Sequence, residues 1–377
     1  MSNLTTAQQD AAITLVPVAW DWRLMVQLGL AIIGVLGNSL VIHIYRSNRD
    51  LKGNTTNLFI AALAIADLIT SICIIPFPLL SRAPQNVLGS IYCKVVFSSN
   101  VMWVSIVASI ITLTTLSVER YIAVAFPTHY KRIFTKSKTT LIIVCIWLFA
   151  FAMNTFGYYE TFVINGQCTH VIPSNEFQLF LGVAVFLVEY LIPMIIMLAT
   201  NIRTIQLLHK QAKVFGGNDT KNGPALSLLR ARRRVVYMLL IVILAFIICW
   251  SPDQIAFLGF NIGFIPFGFA FGHVYRAFIA LAFANSCFNP AIYIIANRNF
   301  RKAFLDLLPS RRRTSSDSHT NTLFETPVDG DDTGITNKGR ENFGAFGDDG
   351  KTLSTVVSDS RDKDEGSADT VALEHVD

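Results

Sequence analysis

Seven stretches of the chain are apolar for about 20 residues or more, at positions 24–45, 57–80, 95–118, 140–160, 178–200, 236–260 and 274–296. A helix needs about 20 mostly apolar residues to cross the hydrocarbon of a bilayer. Seven such runs do not fit within one globular core. The sequence therefore predicts an all-α membrane protein, a seven-transmembrane helix bundle. Composition agrees, because only 15% of the 377 residues are charged, against roughly a quarter in soluble domains. The opening residues MSNLTTAQQDAAITL lack the basic start and apolar core of a signal peptide, so the first span is expected to act as the targeting signal.

Loop charge sets the expected orientation. Arg46, Arg49 and Lys52 follow span 1. Lys131, Arg132, Lys136 and Lys138 follow span 3. Arg203, Lys210, Lys213, Lys221, Arg230, Arg232, Arg233 and Arg234 lie between spans 5 and 6. The opposite loops offer little beyond Arg82, Lys94 and Arg276. This asymmetry predicts a plasma-membrane protein with its N-terminus outside and its C-terminus in the cytosol. It also explains the basic body without nucleic-acid binding. Four cysteines (Cys73, Cys145, Cys249 and Cys287) lie inside apolar runs and read as small buried hydrophobes. Cys93 and Cys168 both fall on the expected outer side, where disulfides persist, so one bridge between them is expected. The alternative is two free thiols.

Four regions follow. Residues 1–23 form an extracellular N-terminus with a glycosylation acceptor at Asn3, in Asn-Leu-Thr. Residues 24–297 form the bundle. Residues 298–308 put Phe300, Phe304, Leu307 and Leu308 on one face beside Arg298, Arg301 and Lys302, a pattern for a short amphipathic helix on the membrane surface. Residues 309–377 are acidic, Ser/Thr-rich and poor in aromatics, which predicts a disordered cytoplasmic tail. Ser315, Ser316 and Ser318 are candidate phosphate acceptors there; the alternative is a merely solvating tail. No inverted repeat of the transporter kind is visible.

Each span carries a polar or proline-bearing feature. Span 1 has GNSLV with Asn38, span 2 LAIADL with Asp67, and span 3 ends in SVERY, Ser117 to Tyr121. Span 4 has Trp147, span 5 Pro193, span 6 CWSP from Cys249 to Pro252, and span 7 NPAIY from Asn289 to Tyr293. In this order, one per span, they resemble the rhodopsin-like (class A) G-protein-coupled receptors over roughly residues 24 to 308. The wording TLTTLSVERYIAV and FANSCFNPAIYI is most similar to the neuropeptide-receptor branch.

The resemblance implies an explanation for Asp67, a carboxylate in the middle of hydrocarbon. Ionisable groups in spanning helices face the bundle interior and mark function. In the family this aspartate helps bind a sodium ion, and the matching positions here are Asp67, Ser109, Asn285, Ser286 and Asn289. Hard cations favour such oxygen ligands. The alternative is a protonated Asp67 that only hydrogen-bonds Asn38 and Asn289. No other cofactor is expected.

The resemblance further implies a heterotrimeric G protein as partner, with arrestin and receptor kinases acting through the tail. Arg120 is expected to pair with Glu119 at rest and to turn toward the G protein on activation, beside Tyr121. An acid that locks this arginine in some relatives is replaced by Arg232, which predicts ligand-free signalling. Pro193, Pro252 and Pro290 each remove a backbone donor and bend their helix. The bend beside Phe246 and Trp250 is expected to let the inner end of span 6 swing outward, with Asn289, Pro290 and Tyr293 completing the switch. The sequence departs from the pattern in two places. The spacing from Cys93 to Arg120 is two residues longer than usual, and Asn201 replaces a tyrosine. No cysteine follows Cys287 to carry a palmitoyl anchor.

Met102 occupies the position that holds aspartate in biogenic-amine receptors, which argues against an amine ligand. Residues 270–296 contain no lysine for retinal. The expected ligand-binding set is Met102, Glu189, Trp250, Asp253, Gln254, Phe257 and Arg276. Its buried acids suit a guanidinium or amine on an extracellular peptide. For Glu189 the alternative is an acid paired with a neighbouring helix or facing headgroups. A non-peptide small molecule is the alternative ligand. A transporter or channel would want a charged path through the whole bundle. An enzyme would want a nucleophile with a base or paired metal ligands, and neither pattern is found. The mechanism expected is population shift: the ligand favours the open-inside state and sodium the resting one.

Overall fold

The computed structural model describes residues 15–171, 173–216, 224–266, 268–269, 272–296 and 298–307. The glycosylation acceptor Asn3, Leu308 and the tail with its serines lie outside the described residues, as does the side chain of Arg232.

Among the described residues, seven helices are long and apolar enough to cross a membrane: α1 (Trp22–Ser47), α2 (Thr55–Cys73), α3 (Val87–Ala125), α4 (Lys136–Glu160), α5 (Asn175–Lys213), α6 (Pro224–Asn261) and α7 (His273–Ala296). A short helix α8 (Arg298–Leu307) follows, with Phe300 fully buried and Arg301 and Lys302 exposed. Starts are set by side chains that satisfy the free N–H groups of a first turn. Asp21 accepts from the backbone of Arg23 and Leu24, Asn54 from Thr56, and Ser174 from Phe177.

The apolar run at 57–80 is helical only as far as Cys73. Pro76 and Pro78 follow; proline lacks a donor and disfavours the helical conformation of the residue before it. The chain instead becomes extended at β2 (Leu79–Leu80), which pairs antiparallel with β1 (Leu15–Val16). That pairing ties the N-terminal segment to the end of α2, a contact the polar opening sequence does not announce.

Burial separates the helices into two classes. The apolar windows of α2 and α3 are 67% and 72% buried, those of α1 and α4 only 22% and 17%. The helices α2 and α3 are thus the centre of the bundle. The helices α1 and α4 turn large apolar side chains such as Leu36 and Leu148 outward, as suits hydrocarbon and not water. Close approach of α1 requires glycine: a Cβ on Gly34 would lie 2.2 Å from Ser71 Oγ, and one on Gly37 3.0 Å from the Pro290 ring.

At one end of the bundle, Cys93 and Cys168 form a disulfide. It fastens a hairpin of β3 (Thr161–Ile164) and β4 (Gln167–His170) to α3. The hairpin turns through Asn165 and Gly166, both at positive φ, the conformation a two-residue turn between twisted strands demands. Lys94 sits over the Phe162 ring, and Phe97 lies against His170. This end is called the disulfide face, and the opposite end the arginine face, after Arg120.

The long Cys93–Arg120 spacing has a structural counterpart. The segment Tyr92–Phe97 is a π-helix, and Ser99 adopts a left-handed conformation at φ 54° before regular helix resumes at Asn100. A π-turn holds more residues than an α-turn, so the surplus is absorbed between the disulfide and Met102. Below it, the α register that carries Ser109, Glu119 and Arg120 runs undisturbed.

Candidate functional site

Three buried polar clusters lie along the bundle. The central one surrounds Asp67, which is fully buried on α2. Its Oδ1 accepts from Ser109 Oγ at 2.8 Å and Ser286 Oγ at 3.0 Å, and its Oδ2 from Asn289 Nδ2 at 2.7 Å. Three helices thus meet at one carboxylate. Asn38 on α1 donates to the Ser286 carbonyl at 3.1 Å and not to Asp67. Asn285 is buried nearby on α7, and its amide oxygen has no partner; the same holds for the amide oxygens of Asn38 and Asn289. One carboxylate, two hydroxyls and open amide oxygens are an all-oxygen donor set of the type hard cations take. The residues present therefore fit a monovalent ion.

The second cluster lies at the arginine face. Arg120 forms an ion pair with the adjacent, fully buried Glu119 and donates to Thr56 Oγ1. Glu119 Oε1 also accepts from Thr56 Oγ1 at 2.9 Å and from the Tyr130 hydroxyl at 2.8 Å, and Thr55 Oγ1 lies 2.9 Å from that hydroxyl. Tyr130 belongs to a short helix (Pro127–Ile133) beyond α3. Burial, reinforced by the Glu119 carboxylate, raises its phenol above the usual range, so the hydroxyl keeps its proton at neutral pH. Thr55, Thr56 and Tyr130 are absent from the sequence-based set. An oxygen-bearing pair at the start of a span was the available signal, while a tyrosine on a loop helix gives none. Tyr121 points away, its ring edge-on to Phe126. Asn201 folds its amide back onto the Met197 carbonyl at 2.9 Å, so it does not stand in for a tyrosine reaching Arg120.

The third cluster lies toward the disulfide face. Glu189 occupies a π-turn of α5 (Phe186–Leu191), and Asp253 and Gln254 follow Pro252 on α6. All three side chains are buried, at 5%, 5% and 3% exposure. The two carboxyl groups lie within electrostatic reach of each other, and Tyr275 on α7 lies beside Asp253. Gln254 Nε2 lies 3.4 Å from Asp253 Oδ2, while its carbonyl oxygen is buried without a partner. Met102 and Trp250 are buried, and Phe257 and Arg276 half-buried. Sequence reasoning missed Tyr275 and also Tyr190, whose ring packs on Phe246 and whose hydroxyl bonds to Ser251 beside the α6 proline.

The hairpin at this face holds His170 against Thr161 Oγ1 at 3.2 Å. Burial lowers its imidazole below the ordinary value.

Comparison with known proteins gives a consistent result. The family model described as 7 transmembrane receptor (rhodopsin family) matches residues 37–293. Galanin receptor type 1 of Homo sapiens is 32% identical over 296 residues, covering 76% of this chain and 81% of that protein. Galanin receptor 2b of Danio rerio is 32% identical over 283 residues, covering 72% and 71%. The QRFP-like peptide receptor of Branchiostoma floridae is 28% identical over 311 residues, covering 78% and 80%.

Proposed function

The chain belongs to the rhodopsin family of seven-transmembrane receptors, and from that premise we propose that it is a plasma-membrane receptor for an extracellular peptide that activates a heterotrimeric G protein. The disulfide face is the outer, ligand-receiving side and the arginine face the cytosolic one, consistent with the basic loops around the latter. The names of the relatives, receptors for galanin and a QRFP-like peptide, support a peptide ligand.

The observation that carries the reading is Arg120, held by Glu119, Thr56 and Tyr130 in one closed cluster. A guanidinium satisfied in this way is unavailable to a partner; a swing of α6 would uncover a surface to which it can turn. Pro252 removes a backbone donor within α6, and Tyr190–Ser251 and Phe246–Tyr190 contacts link the bend to α5. A ligand that draws α5 and α6 together on the outer side therefore biases the hinge. Hinges of this kind turn small displacements into large ones.

Asp67, Ser109, Asn285, Ser286 and Asn289 would hold a sodium ion, which supplies a positive charge that stabilises the resting arrangement of α2, α3 and α7. Arrestin and receptor kinases are proposed partners of the tail. The test is nucleotide exchange on purified G proteins by the full chain in lipid nanodiscs, screened against synthetic peptide libraries. Failure of every peptide pool and every G-protein class to raise exchange above the empty-disc level would refute the reading.

A further inference from the structure

We infer that Glu189 and Asp253, with the Gln254 carbonyl, form a single receptor for one guanidinium, so that the ligand presents an arginine side chain that ties α5 to α6. The inference rests on the peptide-receptor reading and narrows it.

Buried carboxylates without a counter-charge are expensive in apolar surroundings. Among the described residues the ion pairs are Arg23–Asp21 and Arg120–Glu119, so neither Glu189 nor Asp253 has a cation. Their local donors are few: the amide of Gln254 stands 3.4 Å from Asp253, and Tyr275 lies beside it. The Gln254 carbonyl is a third acceptor, 3% exposed as a residue and unpartnered beside Asp253. Three buried acceptors thus stand where donors are lacking, on stretches of α5 and α6 that the Tyr190–Ser251 hydrogen bond holds side by side. The missing partner is a cation with several N–H groups.

The geometry selects among cations. Asp253 lies eight residues from the end of α6 at Asn261, roughly 12 Å by helical rise, so the charge must sit on a long side chain. A guanidinium offers five donors in a planar fork and sheds water more easily than an ammonium. Two carboxylates and a carbonyl can all be met by one such group, whereas an ammonium has three donors spread tetrahedrally. Trp250 and Phe257 lie one helical turn to either side on α6 and supply apolar and aromatic surface for the methylene stem.

The consequence concerns α6. Glu189 sits in the π-turn of α5, next to the Tyr190 that bonds to Ser251, and Asp253 immediately follows Pro252. A guanidinium bound to both carboxylates bridges the two helices across the bend and draws them together on the outer side.

The probes are L-arginine amide, L-lysine amide and the neutral isostere L-citrulline amide, titrated against thermal unfolding of the full chain in nanodiscs. Arginine amide is expected to raise the melting temperature saturably, lysine amide less, and citrulline amide not at all. E189Q and D253N should each weaken the arginine amide response by roughly tenfold or more, and the double variant should add little. E189K should supply the cation internally, abolish the response and melt above E189Q, a gain that D253N removes; if E189K does not fold, E189Q and D253N decide. Equal stabilisation by citrulline amide, no stabilisation by arginine amide, or a full response in the double variant overturns the proposal. The readout needs no G protein, so a chain that binds arginine amide yet drives no nucleotide exchange overturns the receptor reading alone.

Discussion

Replacing Tyr130 by Phe deletes one hydroxyl from the cluster that holds Arg120 and changes almost nothing else, because the ring keeps its contact with Phe134. The hydroxyl donates to Glu119 Oε1 at 2.8 Å and receives from Arg120 at 3.3 Å, with Thr55 Oγ1 at 2.9 Å. A hydrogen bond to a charged partner contributes about 1.5–3 kcal/mol. Glu119 is not left unpaired, since Thr56 already bonds to it at 2.9 Å and Thr55 stands at 3.4 Å, ready to close in. The lower end of the range therefore applies. A loss of about 1.5 kcal/mol from the closed state shifts its equilibrium with the open state about tenfold. Ligand-free nucleotide exchange by Y130F should rise accordingly, up to the level of the fully active receptor. Thr56→Val removes both a donor to Glu119 and an acceptor for Arg120, so its effect should be larger. The double variant should fall short of the sum, as expected for residues in one network. The Tyr130 phenol stays protonated at neutral pH, so the increase should be the same from about pH 6 to about pH 8, well below the ordinary tyrosine range. Unchanged or lower exchange in Y130F, with an unchanged melting temperature, would show that the cluster does not restrain Arg120.

Gly34→Ala places a methyl group 2.2 Å from Ser71 Oγ and 2.9 Å from its Cβ; overpacking of this kind costs about 1–3 kcal/mol. A lower melting temperature is expected, partly restored by Ser71→Gly; a wild-type melt for G34A would mean that α1 stands farther from α2. Asp67→Asn removes the carboxylate at the centre of the oxygen cluster, so replacing sodium by choline should change melting and agonist affinity in the wild type and do neither in D67N. A sodium effect that persists unaltered in the variant sinks the ion site. The lowered imidazole of His170 has a definite sign: the unfolded hairpin takes up a proton more readily than the folded one, so hairpin stability is complete above about pH 6.5 and declines as the pH falls below it. Amide protection factors across residues 161–170, exchange rates corrected for the intrinsic pH dependence, should therefore fall in acid in the wild type and stay level in H170Q. Lys94 and Glu160 face the same hairpin; of the two only the Glu160 carboxyl takes up a proton in acid, and an identical acid response in H170Q would show that the effect does not come from His170.

The central cluster was legible through the resemblance to a known family, which supplied its matching positions, and span depth agrees with it. Asp67, Ser109, Ser286 and Asn289 each sit near the middle of an apolar run, and seven runs of similar length bring their middles to one level. The Glu119–Arg120 pair was legible from the same resemblance, and the disulfide from two cysteines that both fall on the expected outer side. The partners of Arg120 were less so. Thr56 is one polar residue among several at the start of α2, and Tyr130 reaches the cluster from a loop helix whose direction no hydrophobic period specifies. The two-residue surplus before Arg120 could be counted, but its resolution into a π-helix and a left-handed Ser99 depends on where the disulfide and the β3–β4 hairpin hold the other end. Likewise Glu189 reads as an acid on α5, while the π-turn that holds it has no sequence signal of its own. The end of α2 was misplaced because hydropathy continues through Pro76 and Pro78 after helical hydrogen bonding has stopped.

Polar satisfaction is uneven across the bundle, and the unevenness bears on where it can move. The buried polar side chains of α2 and α3 have partners: Asp67 has three, Thr70 bonds to Ser105, and Glu119 is enclosed by Arg120, Thr56 and Tyr130. Among the described residues, the buried side-chain atoms without a partner are on Asn38, Thr139, Trp250, Gln254, Asn285, Asn289 and Tyr293. Five of these seven residues lie on α6 and α7. An unpaired buried polar atom costs about 1–3 kcal/mol, so an arrangement that pairs several of them gains enough to compete with this one. Moving α2 against α3 instead would break Thr70–Ser105, Ser109–Asp67 and Thr56–Glu119 with no open group among the described residues of either helix to gain a partner. Two of the open groups, on Trp250 and Gln254, flank Pro252, and two, on Asn289 and Tyr293, flank Pro290. The proline bends and the unmet hydrogen-bonding capacity thus coincide on the same two helices, which is the condition for a bundle that keeps one half rigid while the other changes partners.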